Sequence, residues 1–217
     1  YVRLYGCLVA AAWNTGIRAG AGATVRVIDS DVRNCYYAGI TAVSGSGLDM
    51  SRCRISGAAW HGIRYDDTSP LISECMIFGN ARSGIYASGK TRATVRENVF
   101  FENGMNGMSC WYANADTITR NTFSGHLREA LSVLGAAAPI ISSNIFVGHK
   151  LAVYQGFISG REKQTPGTLD LRANLFWKNA LDLNTPTPGA NGEAVGVSTN
   201  FPPDTGSRFV DPGLRNP

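Results

Sequence analysis

No apolar run in this chain approaches the ~18 residues needed to cross a bilayer, so no segment of it reads as a membrane span. Charged residues are scarce at 17%, and their imbalance is small: 20 Lys and Arg against 16 Asp and Glu leave +4. So mild and unclustered an excess gives no footprint for nucleic acid, and no nucleic-acid partner is expected. The five cysteines are an odd number without the spacing of a disulfide framework. Proline is thin over the first 183 residues, at Pro70, Pro139 and Pro166, and the other six fall between Pro186 and Pro217. No signal peptide is visible at the first residues, since Tyr1-Val2-Arg3-Leu4 is neither an initiator methionine nor a basic stretch before an apolar one, and this says nothing about targeting. Leu4 already falls in phase with the repeat described next, so the chain is expected to be part of a longer protein. Disorder is excluded by the 44% apolar content.

What the chain holds in excess is glycine, 25 of 217 residues, and much of it recurs on a period. A small residue followed by an apolar one appears at Gly16-Ile17, Gly39-Ile40, Gly62-Ile63, Gly84-Ile85, Gly107-Met108, Ala130-Leu131, Ala152-Val153 and Ala180-Leu181. The first six steps are 22 or 23 residues and the seventh is 28. A second column runs Cys7, Asp31, Cys53, Cys75, Asn98, Asn121, Asn144 and Asn174. Three residues before it stand Leu4, Ile28, Met50, Ile72, Val95, Ile118, Ile141 and Leu171. Two residues after it stand Val9, Arg33, Ile55, Ile77, Phe100, Phe123, Phe146 and Phe176, apolar but for the arginine.

Such a unit is too short for a helix pair, which needs ~34 residues, and too rich in Gly and β-branched residues for a leucine-rich repeat. Three short strands per coil, each paired with the coils above and below at ~4.8 Å, satisfy the pattern. The fold class is therefore all-β, a parallel solenoid of about seven to eight coils of 22–23 residues, and seven steps make a rod of ~34 Å. Asparagines stacked at one turn can bond amide to amide along the rod. Cys53 and Cys75 fall on neighbouring coils, where reduced core thiols are the simpler reading although a disulfide is geometrically conceivable. Residues 1–183 form the repeat domain. The segment 160–167 is a polar insertion, and 184–217, rich in Pro and Gly, is a capping tail or linker that cannot extend the ladder.

The spacing of Gly-Ile, Ile-x-x-Asn and Asn-x-Phe resembles the right-handed parallel β-helix repeat of pectate-lyase-like and NosD-like proteins, over about residues 2–183. Arg208-Phe209-Val210-Asp211-Pro212 resembles a sequence common where such helices close. The family includes polysaccharide lyases, glycoside hydrolases, uronate epimerases, phage tailspikes and adhesins. The resemblance implies an extracytoplasmic location and a substrate groove on the strand that begins at Gly-Ile and the turn before it.

That face carries outward residues Arg18, Thr41, Arg64, Tyr86, Ser109, Ser132, Tyr154 and Asp182, and a turn column Asn14, Tyr37, Trp60, Arg82, Met105, Arg128, Lys150 and Lys178. The candidate binding residues are Trp60, Arg64, Arg82 and Tyr86, with Trp111 and Tyr112 flanking them. Should the site be catalytic, β-elimination suits it best. Arg128 would neutralise a uronate carboxylate, Lys150 or Tyr154 would take the proton, and His61 is the reserve base. Glu74 and Glu97 lie on adjacent coils at a spacing near that of retaining glycosidases, but Arg52 and Arg120 flank them, which reads as a surface charge ladder. His126 and His149 occupy a turn column shared with Asn80, Asn103 and Asn179 and read as asparagine substitutes, without the further ligands a metal requires. No metal site is expected. Calcium is the one cofactor that Asp66-Asp67 could begin to ligate, and a site needs about six or more oxygens. The Asn-Thr-Asp, Gly-His-Gly and Arg-Ile-Lys motifs of polygalacturonases do not occur.

The expected function is binding of a polysaccharide, or another extended polyanion, along one face, as a scaffold within a carbohydrate-active enzyme such as a lyase. The alternative is a structural rod, an adhesin segment or an assembly subunit with protein partners.

Overall fold

Every coil turns its chain by placing single residues in the left-handed backbone region, which L-residues adopt only at a cost of ~1–2 kcal/mol. In the computed structural model, which describes residues 1–158, 167–188 and 194–199, two such columns run the length of the rod. Between the first and second strand of each coil stand Gly6, Asp29, Arg52, Glu74, Glu97, Arg120, Ser143 and Ala173, with φ from 49° to 60°. Between the second and third stand Ala11, Asn34, Gly57, Gly79, Glu102, Gly125, Gly148 and Lys178, with φ from 51° to 72°. Only five of these sixteen residues in the described coils are glycines, which adopt this region freely, so the strain at the other eleven must be offset by what the bends hold together.

The strands between the bends form three parallel sheets. The first two hold eight strands each, and the third holds nine, the last of them antiparallel. Inward residues stack in register: Ile72, Val95, Ile118 and Ile141 on the first sheet, and Ile77, Phe100, Phe123, Phe146 and Phe176 on the second. The four phenylalanine rings lie nearly parallel, 4.6, 5.2 and 5.0 Å apart. Each such pair contributes ~0.5–1.5 kcal/mol beyond its burial.

The bends are pinned from inside by asparagine. The backbone N–H groups of Asn98, Asn121 and Asn144 donate to the Oδ1 of Asn121, Asn144 and Asn174 at 2.9–3.0 Å, and the Nδ2 of each donates to the same acceptor at 3.0–3.1 Å. The second Nδ2 proton of each reaches the carbonyl of Ile72, Val95 or Ile118 at 2.9–3.0 Å. A second column bonds Asn80 N–H to Asn103 Oδ1 at 3.2 Å, Asn103 N–H to His126 Nδ1 at 3.2 Å and His149 N–H to Asn179 Oδ1 at 2.9 Å. The two histidines stack at 5.4 Å and take the places of asparagines. Burial, reinforced by His149, pushes His126 down to about 3, so it is neutral and accepts as an amide oxygen would.

Three expectations from the repeat pattern need correction. Ser30, not Asp31, shares the column of Cys7 and Cys53: Cys7 N–H donates to Ser30 Oγ at 3.1 Å, and Val32 rather than Arg33 points inward. At the far end Val153 pairs with Leu183, so Asp182-Leu183 replaces Ala180-Leu181, Asn184 replaces Asp182 in the outward column, and Lys178 sits at a bend. The boundary at residue 183 falls inside a strand, because Leu183–Pro188 continues the third sheet and Ala194–Thr199 folds back on it antiparallel. Most of the insertion and the Arg208–Pro212 segment lie outside the described residues. The five cysteines are free thiols, and Cys53 N–H approaches Cys75 Sγ at 3.5 Å.

Candidate functional site

On the third sheet the residue before each Gly-Ile pair and the second residue after the glycine both turn outward, so three columns lie side by side. The rim column is Tyr37, Trp60, Arg82, Met105 and Arg128, whose backbones bond coil to coil at 2.7–3.1 Å over the run from Trp60 to Arg128. Next to it, coil by coil, come His61, Ser83, Asn106 and Glu129. The third column is Arg64, Tyr86, Ser109, Ser132 and Tyr154, paired in register. Trp111 and Leu134, paired in register, form the opposite rim, and Phe157 adds to the lining. Apart from Tyr37 and Glu129, these residues line a cavity of about 490 Å³.

Rings run through it without a break. Tyr37 meets Trp60 at 5.3 Å, Trp60 meets His61 at 6.3 Å, His61 meets Tyr86 at 4.9 Å and Tyr86 meets Trp111 at 5.7 Å. Trp111 in turn touches Tyr112 at 6.2 Å. The Arg82 guanidinium lies over the Trp60 ring, 3.7 Å from its centroid, close enough for a cation–π contact.

The cations differ in what they are free to do. Arg64 Nε donates to Asp66 Oδ2 at 2.7 Å and its Nη1 donates to the Tyr37 hydroxyl, so its charge is already matched. The hydrogen bond to Asp66 holds the guanidinium charged, above its ordinary pKa. Arg128, more than half exposed, has Glu129 at 3.6 Å. Arg82 has no carboxylate within ion-pair distance among the described residues. His61 is pushed down to about 4, by burial first and then by Arg82 and Arg64. It is therefore neutral at neutral pH, and its buried Nδ1 has no partner. The floor between is uncharged: Ser109 Oγ donates to Asn106 Oδ1 at 3.1 Å and lies 3.3 Å from Ser83 Oγ, while Asn106 Nδ2 donates to Glu129 Oε2.

Of the residues singled out by sequence, the structure brings His61, Arg128, Tyr154, Trp60, Arg64, Arg82, Tyr86 and Trp111 to this cavity. Lys150 is exposed and does not line it, and Tyr112 stands outside it against Trp111. The proton acceptor assigned to Lys150 therefore has no place in the cavity. Asp66 is held by Arg64, and Asp67 Oδ1 accepts the Lys90 N–H at 2.8 Å. No group of three or more His, Cys, Asp or Glu side chains among the described residues is arranged to hold a metal. The Glu97 carboxylate accepts from Arg120 Nε at 2.9 Å, as expected of a charge ladder. Sequence reasoning placed Ser109 and Ser132 on the groove face without choosing them, and missed the floor residues Ser83 and Asn106 and the Glu129 beside them. Their only signal was a column that holds polar residues on four consecutive coils.

Stacked parallel sheets with this repeat define a β-solenoid. The chain belongs to the family described as right handed beta helix region, whose pattern matches residues 1–100 and 45–193. No curated protein matches the sequence significantly. Among solved structures it is similar to a mutant of the periplasmic alginate epimerase AlgG, with 14% identity and a TM-score of 0.60 over 82% of this chain and 44% of that one. The unmutated epimerase gives a TM-score of 0.54 at 14% identity, over 74% and 47%. An alginate lyase from Paenibacillus sp. str. FPU-7 gives 0.53 at 10% identity, over 82% and 80%. At these identities the likeness shows the fold alone, and the chain spans less than half the length of the epimerase.

Proposed function

We propose that this β-helix binds a polysaccharide along the third sheet, in an extracytoplasmic setting. The observation that carries the reading is the unbroken run of rings from Tyr37 to Trp111 along a cavity floored by hydroxyls and amides. Flat apolar faces beside hydrogen-bonding groups suit a sugar ring, which carries C–H on its faces and hydroxyls on its edges. A long open groove suits a polymer, and coil spacing of ~4.8 Å is comparable to one sugar in an extended chain. The neighbours that act on alginate, one of them periplasmic, support a carbohydrate role and an extracytoplasmic place.

Arg128 and Tyr154 line the same cavity from adjacent coils, which keeps them available as a charge-neutralising cation and a proton acceptor for β-elimination. His61 lies three coils from Arg128, too far to act with it on one sugar. The test is calorimetric titration with acidic and neutral oligosaccharides, beside an assay for unsaturated-uronate absorbance. Trp111→Ala should weaken binding about tenfold, ~1.4 kcal/mol, while Glu74→Ala on the distant bend leaves it unchanged. Product formation would make the protein a lyase, and binding without product a binding module. Failure to bind any polysaccharide would overturn the proposal.

A further inference from the structure

Resting on that reading, the rim of the groove carries more detail than a general liking for anions. Arg82 and Arg128 stand in one column two coils apart, joined through the backbone of Met105: Met105 N–H donates to the Arg82 carbonyl at 3.1 Å and Arg128 N–H to the Met105 carbonyl at 3.0 Å. At ~4.8 Å per coil their backbones are ~10 Å apart. The coil between them offers an acidic sugar nothing. Its rim residue is Met105, and its floor residues Asn106 and Ser109 are neutral. Asn106 also accepts no stray anion, because its Nδ2 is already bound to Glu129 Oε2. The Glu129 carboxylate, only 13% exposed, places negative charge beside that middle position.

Other cations do not blur the pattern. Arg64 is held tightly by Asp66 at 2.7 Å, whereas the more exposed Arg128 lies 3.6 Å from Glu129 and stays open to a ligand, and Lys150, the next residue in the rim column, lies outside the cavity lining. We infer that the groove selects a polysaccharide in which acidic and neutral sugars alternate, with an acidic group at each of the Arg82 and Arg128 coils and a neutral sugar on Met105 and Asn106. The middle position works by exclusion: a carboxylate there would lose its water beside Glu129 and find no cation in exchange. Carboxylate and sulfate are both read by arginine, as paired N–H donors facing anionic oxygens, so the inference concerns their spacing.

The experiment compares hexasaccharides of matched length by titration calorimetry: hyaluronan, which alternates uronate and neutral sugar; a sulfated oligosaccharide with the same alternation; oligomannuronate, acidic at every residue; and neutral cellohexaose. One or both alternating probes should bind about tenfold more tightly than oligomannuronate, ~1.4 kcal/mol, and which of them does so identifies the acidic group. Met105→Arg supplies the missing cation and should erase that preference, with an unchanged urea unfolding midpoint to show that the variant folds. Arg82→Ala and Arg128→Ala should each weaken the alternating probe and steepen no preference for it. Equal or tighter binding of oligomannuronate, or an unaltered ratio in Met105→Arg, would overturn the inference while leaving polysaccharide binding intact. Binding of none of the four probes would remove the functional reading beneath it.

Discussion

Replacing Asn121 with leucine removes four hydrogen bonds and supplies none. Asn121 Oδ1 accepts from Asn98 N–H and Nδ2 at 2.9 and 3.0 Å, and its Nδ2 donates to the Val95 carbonyl and to Asn144 Oδ1 at 2.9 and 3.0 Å. Two of the four partners keep a second bond: Asn98 Nδ2 still reaches the Ile72 carbonyl and Asn144 Oδ1 still accepts the backbone N–H of residue 121. The Asn98 N–H loses its acceptor in the interior, and the Val95 carbonyl loses its amide donor. At ~1–3 kcal/mol for each buried group left unsatisfied, the loss is ~2–6 kcal/mol. Leucine's extra apolar burial offsets part of this, ~1–2 kcal/mol at most. Urea unfolding followed by circular dichroism measures the difference. Thr119→Ala is the control, since its half-buried hydroxyl only accepts from Ser142 Oγ at 3.1 Å near the surface and should change stability by about 0.5 kcal/mol. Equal losses for the two variants would refute the argument that asparagine amides hold the bends.

The same accounting predicts a weakness in acid. His61 and His126 are held down at about 4 and about 3, and His149 is lowered by burial. Each binds its proton more readily unfolded, near 6.5, so stability is full above pH 6.5 and falls as pH drops towards the folded values, by ~3 kcal/mol or more for His126. Asp116 and Asp182, raised by burial, act in the opposite sense, as their protonated forms suit the fold. The thermal midpoint should therefore drop between pH 6.5 and 4 and drop less in the His126→Asn, His149→Asn double variant; identical profiles would refute the assignment. Gly107→Ala should destabilise by ~1–3 kcal/mol, because the added carbon would sit 2.5 Å from Phe123 Cδ1 and 2.7 Å from the Ala130 carbonyl oxygen. Gly79→Ala, with nothing within 4 Å, should cost only its backbone strain, and equal urea midpoints for the two would contradict the close approach.

The core was legible because solenoid packing repeats one physical demand at one period. Phe100, Phe123, Phe146 and Phe176 answer the same demand on successive coils, so eight copies average out any single substitution. The errors came where the copies run out. On the second coil the column holds Ser30, and without an asparagine to mark it the neighbouring Asp31 looked equally suitable. On the last coil the insertion removed the spacing that would have separated Leu181 from Leu183. Pro186 and Pro188 were taken to end the sheet, yet the parallel neighbour reaches only Leu183 and Asn184, and alternate residues direct their N–H groups to the same side, so both absent donors can fall on the side left unpaired. Lys150 keeps its place in the rim column but is exposed and outside the cavity lining, because a column fixes where a backbone sits and not what a long side chain reaches.

The groove was harder to read for the reason that the core was easy. Interior columns are constrained by their neighbours above and below, so variation there is costly and the pattern stays clean. Outward columns carry no such constraint, and under the proposed function they would meet a ligand whose own groups change from one subunit to the next, so a side chain that suits one position need not suit the next. The rim sequence Trp60, Arg82, Met105, Arg128 and the floor sequence His61, Ser83, Asn106, Glu129 have no consensus, and the search for a repeated residue type passes over them. In a rod whose coils rise by about one sugar each, that irregularity is where specificity must be written. A structural rod has no comparable need to set aromatic, cationic and neutral residues in a fixed order on one face. The ordered variation of this one strip, set against the uniform stacking behind it, is what the proposed binding of a polymer would require and a plain spacer would not.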